Sequence, residues 1–579
     1  MGAILAFFRR KPPETPIKGP IPRVKNVGMH HFRGLLGVLL PVIIISWQLD
    51  THVPEKTTFH IWILMAFFFL FQPVTLQVTG SIPIFAFPMF GILSTAETVK
   101  CYFNEGAALF VIGGMLHLLL NNSGFDRRLA LFILCKGDAK YFSPIKLLIK
   151  SAFAAFFLSI FCHRLIVAST IIQYVAPTLM DMQVATRRYR ASEPNFDSVR
   201  YIICNAISIS CSIGGIAIVH SSYCTLAFRA IFYDLGYPDF MNYAQYSAFA
   251  VPVAIALFVI NIIYHGLLLK FASGKPISAG RMAEVRAALI KHKSEIPPKI
   301  TNHEKLTVFF LFLALLAFFG RHVYKMNAGW NKLIYGADGF LDGSVAAMFV
   351  IFLHVLPRSC NFIKIVRAKK KSQLPPTKPE SAILFYRFVD KNTNYGYFFL
   401  IGAGLALAKK SSGGKDSMAA VVSSKLSFLT NLDFCIAILI IALMTVFITN
   451  IISGVACIAI WLPVVLCLAH EQQPTSPWVT KMFRPALTVG IASSFGYISP
   501  FLYTPAYFCY HTGKVPRRAM LKFAVAPCIL SALVLYLAMC FYSPAIFGDE
   551  MLPTLPASAV TTTGPGGPAP TAPPAGLLL

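Results

Sequence analysis

A chain of 579 residues that is 56% hydrophobic and only 13% charged, with a mean hydropathy of +0.64, is not a soluble globule. Its net charge of +27 does not point to nucleic acid, because the basic residues gather between long apolar runs, as they do in the cytoplasmic loops of membrane proteins. Asp and Glu total 24, and no paired carboxylates, metal cluster or nucleophile elbow stands out, so an enzyme is the least expected class and no cofactor is expected. The 13 cysteines lie scattered in apolar segments (Cys204, Cys211, Cys435, Cys457, Cys467) without a CxxC pair and read as small buried hydrophobes.

The apolar runs are continuous rather than alternating, which excludes a β-barrel. Trp62 to Phe71, Phe249 to Leu269, Leu306 to Phe319 and Phe434 to Thr449 approach or reach the roughly 20 residues that cross a bilayer. The fold class is therefore an all-α polytopic membrane protein. Residues 1–33 are basic and proline-rich, carry no signal peptide and should be cytoplasmic. Residues 34–271 hold expected spans at 34–49, 59–78 and 80–95, then the apolar Gly106 to Leu120. An interfacial amphipathic helix is expected over Asp126 to Leu134. Next come the interrupted stretch Pro144 to Pro177 and spans near 201–220 and 247–270. Residues 272–303 read as a basic cytoplasmic loop, and 304–548 resume with spans near 304–320, 344–357, 395–408, 433–449, 452–468, 484–500 and 523–545. The tail 549–579, rich in Pro, Gly and Ala, has nothing to bury and is expected to be disordered and extracytoplasmic. The plasma membrane is the expected location. Asn121-Asn122-Ser123 matches a glycosylation sequon but sits at a helix end near the bilayer, so it is expected to stay unmodified.

The chain repeats itself. Phe110 to Gly124 aligns without gaps on Phe399 to Gly413. At a similar offset His163-Arg164-Leu165 falls on Ser453-Gly454-Val455, Ser212 to Gly215 on Ser494 to Tyr497, and His220 to Thr225 on Phe501 to Ala506. The basic loops fall at different places in the two halves, as in an inverted pair. Such a repeat marks a secondary transporter, whose broken helices meet at the midplane and hold ions with freed backbone groups. The breaks are expected at 162–165, 220–225, 452–455 and 500–506, where Gly454, Pro500 and Pro505 loosen the backbone or remove a donor.

Within the first break, His163 and Arg164 stand side by side in an apolar stretch. Insertion scales put the cost of such a cation at ~2.5–3.5 kcal/mol, so it marks either a functional site or an arginine that snorkels to water.

With these breaks in hand, the sequence resembles the divalent anion/sodium symporter family, carriers of dicarboxylates, citrate or sulfate. The resemblance runs from about 34 to 548 and includes Gly91 to Ser94, Leu109 to Gly114, Arg128 to Leu131, Ser212 to Gly215, Asp342 to Ala346, Gly402 to Lys409 and Leu462 to Val464. It implies about eleven spans, two re-entrant hairpins, an elevator-type motion of a transport domain against a scaffold, and a homodimer. The departures fall at the chemistry. Family members carry Ser-Asn-Thr at each hairpin tip, where this chain has His163-Arg164-Leu165 and Ser453-Gly454-Val455. The family's Thr-Gly-Thr-Gly-Pro-Asn becomes His220-Ser221-Ser222-Tyr223-Cys224-Thr225, and its Thr-Pro-Pro-Asn is best matched by Tyr503-Thr504-Pro505-Ala506.

Two functions follow. The first is a secondary transporter of small anions (di/tricarboxylate or sulfate class) with altered or absent sodium coupling. Its candidate binding residues are His163, Arg164, Leu165, His220, Ser221, Ser222, Thr225, Ser453, Gly454, Val455, Thr504 and Pro505. In it Arg164 grips the anion with two parallel hydrogen bonds, and His163 and His220 are candidates to carry protons. The alternative is a transport-inactive relative acting as a regulatory or scaffolding membrane protein. The partners expected are a small anion, membrane lipid and a second copy of the chain.

Overall fold

The computed structural model describes residues 20–48, 54–137, 143–189, 196–235, 241–272, 279–321, 329–333, 340–359, 361–375, 380–411, 417–468, 472, 476–502 and 504–548. The first nineteen residues and the tail from 549 lie outside the described residues, and with them the expectation of a disordered tail. Among the described residues the chain is helical, with one isolated bridge between Pro357 and Ala382. Six helices are long and apolar enough to cross a membrane, and seven shorter apolar ones accompany them.

The helices that position the site are, in order, α1 Pro20–Gln48, α2 Pro54–Phe71, α3 Glu105–His117, the short α4 Leu119–Ser123, and α5 Phe125–Cys135. Then come α6 Pro144–Phe161, α7 Arg164–Tyr189, α8 Phe196–Gly214, α9 Tyr223–Asp234, α10 Tyr243–Ala272, α11 Ala279–Ser294, α12 Asn302–Arg321 and α13 Asp342–Val355. The second half adds α14 Tyr397–Lys409, α15 Phe434–Thr449, α16 Gly454–Cys467, α17 Phe483–Ala492, α18 Thr504–His511 and α19 Arg517–Leu537.

Local chemistry sets many of these boundaries. Asn104 caps α3, Ser143 caps α6 ahead of Pro144, Ser222 caps α9, Asp433 caps α15 and Ser453 caps α16, each side chain accepting from an amide in the first turn. Three expectations change. The span placed at 80–95 is two short helices, Leu76–Thr79 and Ile82–Met89, because Gly80, Pro88 and the left-handed Gly91 (φ 68°) interrupt it. The loop placed at 272–303 contains α11, whose buried Met282, Val285 and Leu289 lie on the side that packs on α5 and α7. The break placed at 220–225 runs from 215 to 222, with a short turn of 3-10 helix at Val219–Ser221.

The packing repeats across the two halves. α6 and α7 both pack on α8, as α15 and α16 both pack on α17. α10 closes the first set by touching α6 and α8, and α19 closes the second by touching α15 and α17. The halves also exchange their last pieces: α9 leaves the first set to pack on α16 and α17, and α18 leaves the second to pack on α7 and α8. Small residues allow these approaches. A Cβ on Gly214 would lie 3.0 Å from the Phe156 carbonyl carbon and closer still to its oxygen.

Candidate functional site

Helix α6 ends at Phe161, Cys162 is extended (φ −124°, ψ 153°), and α7 begins at Arg164. In the second half α15 ends at Thr449, Ser453 is extended (φ −67°, ψ 151°), and α16 begins at Gly454. The expected breaks at 162–165 and 452–455 are thus the tips of two pairs of consecutive helices, and the structure brings them together. His163, Arg164 and Leu165 line the same cavity, of about 320 Å³, as Ser453, Gly454 and Val455.

Four helices begin on the wall of this cavity. Arg164 opens α7, Tyr223 opens α9, Tyr397 opens α14 and Gly454 opens α16, and all four residues line it. The first amides of a helix lack intrahelical acceptors, and its N-terminal end carries a partial positive charge. Arg164, 6% exposed, and Lys391, exposed, add full positive charges, while no aspartate or glutamate lines the cavity among the described residues. Such a lining favours negative charge over positive.

Side chains around the tips fix their shape. The His163 amide donates to Asn121 Oδ1 at 3.0 Å, and Asn121 Nδ2 donates to Asp126 at 2.7 Å, which ties the first tip to α4 and α5. His163 Nε2 is hydrogen-bonded to the Tyr223 hydroxyl at 2.8 Å, and the ring of Tyr223 stands 5.7 Å from that of Tyr397. At the second tip Ser453 Oγ accepts from the Ala456 amide. Beneath it the Ser493 carbonyl accepts from Thr449 at 2.9 Å and from Cys224 Sγ at 3.6 Å.

Other expected site residues stand behind the wall rather than on it. His220 is buried with its ring 5.3 Å from that of His117, which in turn lies 6.1 Å from His163. Ser221 donates to the Ile160 carbonyl, Ser222 pairs with Ser494 at 3.0 Å, and Thr225 lies 3.4 Å from the Tyr246 hydroxyl. Pro505 lies in the first turn of α18, which Thr504 opens; the side chain of Thr504 is outside the described residues.

Two features escaped the sequence reading. His117, at the end of α3, sits between the two histidines that were singled out. The segment Lys391 to Asn394 with Tyr397 forms one side of the cavity. The ungapped match of Phe110–Gly124 on Phe399–Gly413 stops just short of that segment, so the repeat gave no signal for it.

The family described as "Sodium:sulfate symporter transmembrane region" matches residues 31–547. Among its curated relatives the chain is 24% identical to "Protein I'm not dead yet" of Drosophila melanogaster, over 90% of each chain. It is 22% identical to "Sodium-dependent low-affinity dicarboxylate transporter 1" of Caenorhabditis elegans, over 87% of this chain and 89% of that one. It is 21% identical to the human "Solute carrier family 13 member 1", over 89% of this chain and 95% of that one. The family and the named dicarboxylate transporter are transporters, not enzymes, and the apolar helices place this chain in the membrane with them. With the family matching nearly its whole length, the chain belongs to the sodium:sulfate symporter transmembrane family.

Proposed function

We propose that the protein is a secondary active transporter of small anions of the di/tricarboxylate or sulfate class, and that it works without sodium coupling. The observation that carries this reading is the convergence of four helix N-terminal ends and two cations on one cavity that no carboxylate lines among the described residues. Arg164 presents a planar fork suited to a carboxylate or sulfate oxygen pair.

Sodium takes hard oxygen ligands. The first tip offers no side-chain oxygen in His163, Arg164 or Leu165, and puts a guanidinium there instead. The serines nearby are engaged: Ser453 in its helix cap, Ser222 with Ser494 and Cys224, and Ser221 with Ile160. These residues do not fit a sodium ion held as in the family's tips. The exchanged packing of α9 and α18 supports treating α6–α9 and α15–α18 as one moving unit with two re-entrant hairpins, an elevator carried within a plasma-membrane homodimer.

The test is uptake of labelled succinate, citrate and sulfate into proteoliposomes holding the purified protein, with sodium and with a large organic cation in its place. Uptake of at least one anion that persists without sodium is the expected result. No uptake of any of them overturns the reading, and a steep sodium dependence overturns its sodium-independent part.

A further inference from the structure

We propose that Lys391 is a second anion anchor, by which the cavity selects anions carrying two separated negative charges over anions carrying one. The inference rests on the anion-transport reading above and assigns its charge selectivity to a residue outside both hairpin tips.

Lys391 belongs to a wound segment, not a loose loop. Asn392 Nδ2 donates to the Phe388 carbonyl at 2.7 Å, and the Thr393 amide donates to the Val389 carbonyl at 2.8 Å. Val389 is fully buried, so it holds this short helix (Tyr386–Asn392) in place. The Tyr397 amide donates to the Asn394 carbonyl at 3.3 Å and leads into α14. The Tyr397 ring meets Tyr223, and Tyr223 holds His163. Lys391 is therefore presented from a fixed position on the side that also carries Tyr397.

The two cations of the cavity differ in depth. Arg164 is buried at the first tip, whereas Lys391 is exposed. Lys391 forms none of the salt bridges found among the described residues. One compact charge at Arg164 leaves the lysine in water, where it costs nothing. An anion with a second charge set apart from the first reaches both. A charge at the rim acts through a screened field, so its contribution is modest and falls with salt.

Binding of succinate and of its monomethyl ester to the purified full-length protein tests the proposal, since the two share a backbone and differ by one charge. Wild-type protein should favour succinate. Lys391→Ala should lower that preference about threefold to fivefold, the scale of an exposed ion pair, and Lys391→Glu should lower it further. Lys391→Arg should keep it, and high salt should narrow the wild-type preference but not that of Lys391→Ala. The melting temperature without ligand verifies that each variant is folded, and Lys391→Gln stands in for one that is not. An unchanged preference in folded Lys391→Ala and Lys391→Glu overturns the proposal while leaving the anion cavity standing. A wild-type protein that binds neither compound overturns the selectivity proposal, and one that binds neither citrate nor sulfate either overturns the anion-transport reading itself; that arm contains no variant.

Discussion

Gly454 rests directly on Ser493: a Cβ at residue 454 would come within 3.3 Å of the Ser493 carbonyl carbon and closer still to its oxygen. The same Cβ would meet Cys224 Sγ at 2.6 Å. The second tip is therefore seated on the end of α17 and the start of α9 through a contact that only glycine permits. Gly454→Ala should force the tip off this seat, with a stability cost of about 1–3 kcal/mol and a sharp loss of anion uptake. Gly266 lies within α10 with nothing within 4 Å of its missing Cβ, so Gly266→Ala should be neutral or slightly stabilising. Melting temperatures of the two purified variants, read beside uptake, verify the contrast; equal effects would mean the contact at Gly454 does not hold the tip.

Asn121 joins the first tip to the helices before it, accepting from the His163 amide and donating to Asp126. Asn121→Leu keeps the size but leaves a buried amide and a buried carboxylate without these partners. Each orphaned group costs about 1–3 kcal/mol, so the variant should melt earlier than Asn122→Leu, which loses one bond to the Ile383 carbonyl. Paired thermal melts decide the order. Asn121 is buried with both ends of its amide engaged.

Arg164 lines the cavity at the start of α7. Arg164→Leu should abolish anion uptake while the amount of protein in the membrane holds steady. Arg164→Lys should keep the charge but lose the two-pronged grip, leaving weak binding that shows as a raised KM. Uptake that survives Arg164→Leu would remove this residue from the site.

Asp342, at the start of α13, lies between two buried arginines, 2.6 Å from Arg229 Nη2 and 2.5 Å from Arg321 Nε. Arg229 comes from α9 and Arg321 from α12, so this carboxylate fastens the piece that follows the 215–222 break to the helices α12 and α13. Asp342→Asn removes the charge that two desolvated guanidinium groups share and should cost about 3–5 kcal/mol. A marked fall in melting temperature in detergent is expected. Asp197, 17% exposed and paired with Arg200 on α8, serves as the comparison, and Asp197→Asn should cost less than Asp342→Asn.

Sequence alone determined the class of the molecule, the repeat and the breaks at the two tips, while it placed the break of 215–222 several residues too late. Those properties are local: hydropathy over one bilayer thickness, a serine one residue ahead of a helix, a glycine in an apolar run. His163-Arg164 and Ser453-Gly454 were legible as tips for this reason, and the shared offset was enough to expect them face to face. The same locality misplaced the span at 80–95 and hid α11 in a charged loop, since helix α11 turns its apolar side to α5 and α7. Tertiary structure alone decided which polar residues reach the cavity. It set His220 behind the wall against the His117 ring, and Ser221, Ser222 and Thr225 there too, hydrogen-bonded to other elements. It also brought Lys391 and Tyr397, from far along the chain, onto the wall beside the two tips. Whether a side chain faces a cavity or a neighbouring helix depends on how the two halves exchange α9 and α18, and contacts of that range leave no periodic trace in either half.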